Sequence, residues 1–191
     1  AIEWVESDLE TENGKRKTEN EDLTPKSNSF HLSDFTFPFS SGETLASDGL
    51  SRINPVEAEL ALQTLHDYIE RIGKDRILYE RLDIGIISPY KGQVQLLRRM
   101  LRKDSYWKPL RPLISINTVD GFQGQERDII LISMVRQNEQ GQVGFLSDLR
   151  RMNVAITRAR MKLIIIGHSP TLCRHPFYKR LKHYIDDITE Y

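Results

Sequence analysis

Three short, strongly apolar runs constrain the fold of this chain more than anything else in it: Asp83-Ile84-Gly85-Ile86-Ile87-Ser88, Ile129 to Val135, and Met161-Lys162-Leu163-Ile164-Ile165-Ile166-Gly167. A strand with one wet face alternates apolar and polar residues. A strand apolar at consecutive positions is covered on both faces, the habit of parallel sheets with helices packed above and below. The runs are also too short to be buried helices. Ile2 to Val5 and Leu113 to Val119 read as further strands of the same kind. Between them the period changes. Asn54-Pro55 predicts a helix start, with Asn54 as N-cap and Pro55 at the first helical position. Val56, Leu60, Leu62, Leu65 and Ile69 then recur at helical spacing up to Gly73. A second helix is predicted from about Gln93 to Leu101, with Arg102 and Lys103 at its end. Strands alternating with helices give a doubly wound α/β layer sandwich.

A chain of 191 residues holds one such domain and leaves room for an insertion. Residues 1–6 are read as the first strand, 7–50 as an acidic, mobile insertion, and 51–191 as the body of the domain. The insertion is rich in Glu, Asn, Lys, Ser and Thr, and such a composition buries too little apolar surface to offset the entropy of ordering it. Phe35, Phe37 and Phe39 are the residues that would tack its end to the domain. Although the whole chain carries 27 basic and 27 acidic residues, the first fifty positions hold 4 basic and 11 acidic, so the remainder has an excess of seven positive charges. A basic body fits a phosphate-rich partner without requiring one. The single cysteine, Cys173, excludes an internal disulfide, and its lack of companions excludes a cysteine metal cluster; both suit a reducing compartment, cytoplasm or nucleus. No apolar run approaches the roughly 18 residues of a membrane span, so no membrane partner is expected.

In parallel sheets ligands gather at the carboxyl ends of the strands, and polar clusters are sought there. Ser88-Pro89-Tyr90-Lys91-Gly92-Gln93 offers a hydroxyl, backbone donors at a helix start and an aromatic ring. It reads either as a contact for phosphate and base or as a simple turn and cap. Thr118-Val119-Asp120-Gly121-Phe122-Gln123-Gly124-Gln125-Glu126 has two glycines that let backbone approach a ligand, with Gln123 and Glu126 able to bond sugar hydroxyls or order water; it reads equally as a polar turn. The third cluster runs from Arg150-Arg151 into Asn153-Val154-Ala155-Ile156-Thr157-Arg158-Ala159-Arg160, just before the last strand. On a helix Arg158 and Arg160 would diverge by roughly 200 degrees and serve different ligands. An isolated Arg-x-Arg is otherwise a basic helix end facing solvent.

Together, and in this order, the clusters resemble the superfamily 1 helicases, in the subgroup typified by the nonsense-mediated-decay RNA helicase and its DNA-acting relatives. The matching text is Ile84 to Gln93, Thr118 to Asp128, Val135-Arg136, Gly144-Phe145-Leu146 and Arg150 to Arg160, within a span of roughly positions 51 to 180. The resemblance implies an α/β, three-layer RecA-like (P-loop NTPase-like) domain with a mainly parallel sheet flanked by helices. It would be the second of two motor domains that hold ATP and Mg2+ between them, with the N-terminal RecA-like domain of the same protein as partner. By similarity Arg158 is the arginine finger reaching the γ-phosphate. Glu126 contacts the ribose or couples nucleotide to strand, Gln123, Gly124 and Arg136 support that nucleotide surface, and Arg160 is structural or secondary there. Ser88, Pro89, Tyr90 and Thr118 resemble positions that touch single-stranded DNA or RNA, mainly along its backbone. No metal ligand is expected in this chain. Travel from 5′ to 3′ is implied by the subgroup alone.

Two departures qualify the resemblance. No Gly-x-x-x-x-Gly-Lys-Ser/Thr loop occurs, so the chain by itself is expected not to hydrolyse ATP. The family's Tyr-Arg-Met-His-Pro motif is likewise absent, and the 7–50 insertion is longer than the resemblance implies. The alternative function is a non-catalytic single-strand-binding module that uses the basic face and Tyr90. A flavodoxin-like domain would have no reason to carry Gln123, Glu126 and Arg158 together.

Overall fold

The computed structural model describes residues 1–7, 42–47, 49 and 51–189. Strands β1 (Ile2–Glu6), β4 (Ile84–Ile87), β5 (Ile114–Asn117), β6 (Arg127–Ser133) and β7 (Ala159–Gly167) form one sheet in the order β1-β7-β6-β4-β5, with every neighbouring pair parallel. The three aliphatic runs are thus the three inner strands, which are the ones covered on both faces. Their alternate residues separate into two cores. Ile84, Ile86, Ile129, Leu131, Ile164 and Ile166 face one layer of helices. Ile87, Ile130, Ile132, Leu163 and Ile165 face the other.

The first helical layer holds α1 (Pro55–Ile72), the short α2 (Lys74–Glu80) and α3 (Lys91–Lys103). The second holds α4 (Leu149–Ile156), a one-turn α5 (Ser169–Leu172) and α6 (Pro176–Thr189). This is the three-layer, RecA-like α/β architecture that the resemblance implies. Helix α1 starts where the sequence places it: Asn54 caps it by accepting from the Glu57 amide at 3.0 Å, Pro55 is its first residue and Gly73 closes it. Its buried face, however, is built from Ala58, Ala61, Leu62, Leu65 and Ile69 together with Glu57, while Val56 and Leu60 are only half-buried. Helix α3 is two residues longer at each end than the apolar spacing suggests, because Leu96, Leu97, Met100 and Leu101 bury a face that extends through the flanking polar turns.

Of the segment 7–50, the described part at 42–47 is not isolated from the domain. There β2 (Thr44–Leu45) pairs antiparallel with β3 (Arg52–Ile53), and Glu43 reaches the body of the domain. Phe35, Phe37 and Phe39 lie outside the described residues. No helix among the described residues is long and apolar enough to cross a membrane.

Candidate functional site

The three clusters do not share one end of the sheet. Strand β6 is seven residues long, so its two ends stand roughly 20 Å apart. The polar clusters divide between them, and the expectation that all three lie at carboxyl ends is corrected. Thr118 follows β5 at its carboxyl end, but the segment it opens runs back along the sheet, and Gln123, Gly124 and Glu126 arrive at the amino end of β6. There the Arg127 amide donates to the Arg158 carbonyl at 2.9 Å, which sets Glu126 and Arg158 side by side in the backbone. Gln123, Gly124 and Glu126 are all exposed, and Gly124, at φ 75°, has nothing within 4 Å of where a side chain would begin.

Arg158 is not on a helix. Helix α4, capped by the Asp148 carboxylate on the Arg150 amide, ends at Ile156. Arg158 sits in the turn that follows, and Arg160 already belongs to β7. The divergence expected of two helical arginines is therefore produced by a helix-to-strand junction. Arg158 is tethered only by neutral groups: its Nε donates to the Val154 carbonyl at 3.0 Å and its Nη2 to the Thr157 hydroxyl at 3.1 Å. Among the described residues no carboxylate neutralises it. Arg160, by contrast, is ion-paired with Asp128 at 3.0 Å, and the other oxygen of Asp128 accepts from the Asp83 amide. Arg160 ties β7 to β6 and to the entry of β4.

At the carboxyl end, the ring of Tyr90 was expected to be open for stacking; it is only 4% exposed. The half-buried Pro89 is part of this end, but Ser88 is fully buried, and its hydroxyl accepts from the Tyr90 amide at 3.5 Å in the turn before α3. What covers Tyr90 is Phe145, whose ring lies 5.5 Å away, tilted by 50°, and is itself 60% exposed. Phe145 lines a narrow cleft with Pro89, Thr118, Asp120, Asp148 and Arg151. Arg151 stands 3.4 Å from Asp120 and 3.7 Å from Asp148. Arg136 also belongs to this end rather than to the neighbourhood of Glu126 and Arg158. It is 4% exposed, ion-paired with Glu43 at 2.7 Å, and donates to the Tyr90 hydroxyl at 3.4 Å. Gly144 permits this packing: a Cβ there would stand 2.4 Å from Arg136 Nη1 and 2.8 Å from the Tyr90 hydroxyl, at a φ of 56° that other residues rarely adopt.

Arg136 is aimed inward by a distorted turn. Val135 has φ 71°, rare for a β-branched residue, and the Arg136 amide donates to the Met134 carbonyl at 2.8 Å, which closes a γ-turn. Such a conformation costs about 1–3 kcal/mol and persists where surrounding contacts over-determine it. Here the contacts come from the start of α1. Glu57 Oε1 accepts from the Val135 amide at 2.7 Å and from the Ser133 hydroxyl at 2.6 Å, and Asn54 Nδ2 donates to the Val135 carbonyl at 3.3 Å. Gln93 joins α3 to the same knot, accepting from the Asn54 amide and donating to Ser133.

The Glu57 carboxyl is completely buried, and that burial pushes its pKa from 4.5 up to about 7 against the opposing pull of the Ser133 and Val135 hydrogen bonds. The folded state thus holds this proton more tightly than the unfolded chain. The group's contribution to stability is greatest below about pH 4.5 and is lost as pH rises through about 7, a change on the order of 3 kcal/mol. The thermal midpoint of Glu57→Gln, measured against the parent between pH 5 and 8, is expected to gain on it as pH rises. A difference that stays constant over that window would refute the assignment.

The residues to which the sequence assigns no role of this kind are Phe145 and Gln93, present only as parts of the matching runs, Glu57, and Asn54 as more than a cap. Phe145 carried a signal, an aromatic directly after a glycine in a polar stretch. Glu57 carried none, because a glutamate in the first turn of a helix ordinarily faces water and favours the helix dipole.

A family model described as an AAA domain matches residues 6–170. The curated relatives include the "Regulator of nonsense transcripts 1 homolog" of Neurospora crassa, 36% identical over 146 residues, which are 76% of this chain and 13% of the relative. "Helicase SEN1" of Saccharomyces cerevisiae is 41% identical over 133 residues, 69% of this chain and 6% of the relative. "DNA-binding protein SMUBP-2" of Rattus norvegicus is 38% identical over 146 residues, 75% of this chain and 13% of the relative. The chain therefore spans only a small fraction, between 6% and 13%, of the length of these three relatives.

Proposed function

The chain belongs to the AAA domain family, in its superfamily 1 helicase branch of nonsense-mediated-decay type, and from that premise we propose that it is the second motor domain of an ATP-dependent helicase acting on single-stranded DNA or RNA. The observation that carries this reading is the separation of two polar surfaces on one rigid sheet. A guanidinium that no carboxylate neutralises among the described residues, Arg158, stands beside the exposed Gln123, Gly124 and Glu126 at one end, and a cleft with an exposed aromatic lies at the other. The segment from Thr118 to Glu126 touches both.

In this reading the amino end faces ATP held against the N-terminal RecA-like domain of the intact protein. Arg158 projects a planar fork of donors toward the charge that develops on the terminal phosphoryl group, and its neutral tethers aim it without quenching it. Glu126 supplies an exposed carboxylate for ribose hydroxyls, and the open backbone at Gly124, with Gln123, allows close approach of a ligand. ATP hydrolysis supplies the free energy of the cycle. Among the described residues no group of three or more His, Cys, Asp or Glu is placed to hold a metal ion. The Mg2+ that accompanies ATP would be held by residues of the N-terminal RecA-like domain of the intact protein.

The carboxyl end faces the strand. Pro89 and Thr118 offer backbone-level contact, Phe145 offers a ring for a base, and Ser88, Tyr90 and Arg136 act from beneath by holding those groups in place. Such contacts grip without reading sequence. When cleft closure moves the amino end, the Thr118–Glu126 segment moves the strand contacts with it, which is the coupling that stepwise translocation needs. A module that only binds strands has no use for an Arg158 tethered by neutral groups.

The test is strand displacement by the intact protein on RNA and DNA duplexes with overhangs of both polarities; no unwinding of any of them with ATP would overturn the reading. For the present chain, fluorescence anisotropy with a labelled single strand should show weak binding that falls with salt, at a slope of about −0.7 per phosphate neutralised. Phe145→Ala should weaken it roughly tenfold, the worth of one stacked base. Salt-independent binding, or no effect of losing the Phe145 ring, would assign this end to a different partner.

A further inference from the structure

We infer that Glu57, far from either surface in sequence and sealed from solvent, is the positioning residue of the strand-facing end: it holds the strained turn at Val135 that turns Arg136 under Tyr90 and Phe145. The inference rests on the proposed reading of that end as strand-facing.

Left to itself, the chain beyond Ser133 would continue as β-strand, the conformation a valine favours, and alternation would carry Arg136 elsewhere. Instead Val135 takes φ 71°, with its amide held by Glu57 and its carbonyl by Asn54. Both polar groups of the strained residue are thus gripped from the N-cap and first turn of α1, and Ser133 two residues earlier is gripped by the same Glu57 oxygen. The reversal delivers the Arg136 guanidinium to the Tyr90 hydroxyl and to Glu43. Gly144 then lies directly on Arg136 and Tyr90, and the next residue is Phe145, the exposed ring of the cleft. The order of support is Glu57, Val135, Arg136 with Tyr90, Gly144, Phe145.

A buried carboxyl is a costly acceptor for the Ser133 hydroxyl and the Val135 amide, even with Met134 and Ser7 as further polar neighbours, and its second oxygen, Oε2, is buried without a hydrogen bond in good geometry. The buried carboxyl and the disfavoured backbone at Val135 are two local costs that serve one arrangement. That arrangement supports the exposed Phe145 ring through Arg136, Tyr90 and Gly144. Strain of this kind points to function when it is observed, not when it is assumed.

The experiment measures single-strand affinity of the full chain at matched folded fraction, checked by circular dichroism. Glu57→Gln keeps a carbonyl oxygen where Ser133 and Val135 donate and should bind as the parent does. Glu57→Met keeps the volume without the acceptor and should bind roughly tenfold more weakly while folded. Adding Val135→Gly to Glu57→Met should restore most of the affinity, because glycine takes the turn without help. That restoration is also expected if Glu57→Met alone folds too poorly to be read, since the double variant no longer depends on the missing acceptor. Parental affinity in folded Glu57→Met, or a folded double variant that binds no better than a tenth of the parent, would overturn the inference. Phe145→Ala and Arg136→Ala separate the two levels. If these weaken binding and Glu57→Met does not, only the positioning role fails; if neither does, the strand-facing reading has failed.

Discussion

Replacing Arg158 with alanine in the intact protein is expected to lower strand-stimulated ATP turnover by roughly 10³-fold while nucleotide affinity stays within a few-fold of the parent, because the arginine finger proposed for it acts chiefly where charge develops in the transition state. The structure makes this a clean substitution. Arg158 is held by the Val154 carbonyl and the Thr157 hydroxyl and by no carboxylate among the described residues, so truncation leaves no buried charge behind. Stability should change by about 1 kcal/mol or less, since Arg158 is half-buried and loses two hydrogen bonds to neutral acceptors. Arg158→Lys keeps a positive charge but not the planar fork, and should recover only a small part of the loss. The measurement is steady-state turnover with saturating single strand, alongside nucleotide affinity by calorimetry. Turnover within about threefold of the parent would remove Arg158 from the catalytic role and return it to the tether that its hydrogen bonds already describe.

Gly85→Val is expected to be the most damaging single change to the fold, lowering stability by about 2–4 kcal/mol and the thermal midpoint by roughly 5–10 °C. Gly85 lies in β4 between β5 and β6, and a Cβ there would stand 2.5 Å from Ile130 Cδ1, 2.9 Å from Phe122 Cε1 and 3.2 Å from Arg127 Cγ. Neither the Ile130 nor the Phe122 side chain has room to retreat, since both are fully packed in the second core. Phe122 anchors the segment from Thr118 to Glu126, so whatever fraction stays folded should also bind strand and nucleotide less well. An unchanged midpoint by scanning calorimetry would show that this core is looser than its packing implies.

These two residues illustrate how unevenly the chain discloses itself. Arg158 was legible as a candidate because a run of eight residues, Asn153 to Arg160, resembles a family motif, yet its setting was not. A helical reading put Arg158 and Arg160 on one helix, whereas α4 stops at Ile156 and the pair straddles its junction with β7. Gly85 was read only as part of an aliphatic run; that it leaves space for Phe122, 37 positions later, follows from the packing of two distant segments. Tyr90 was chosen for its chemistry and lies beneath Phe145, because burial depends on what the rest of the chain places on top.

The sequence by itself determined the α/β class, the five strands, the start of α1 at Asn54-Pro55 and the family, since these depend on periodicity, caps and local motifs that act over a few residues. Only the tertiary structure decided which end of the sheet each polar cluster occupies, and that Arg136 sits with Tyr90 rather than with Arg158. It alone revealed that Glu57, outwardly an ordinary first-turn glutamate, is buried against Val135. The physical reason is common to all three. A hydrogen bond between residues 78 positions apart has no local signature, and a strained φ exists only because contacts from elsewhere in the fold outweigh its cost.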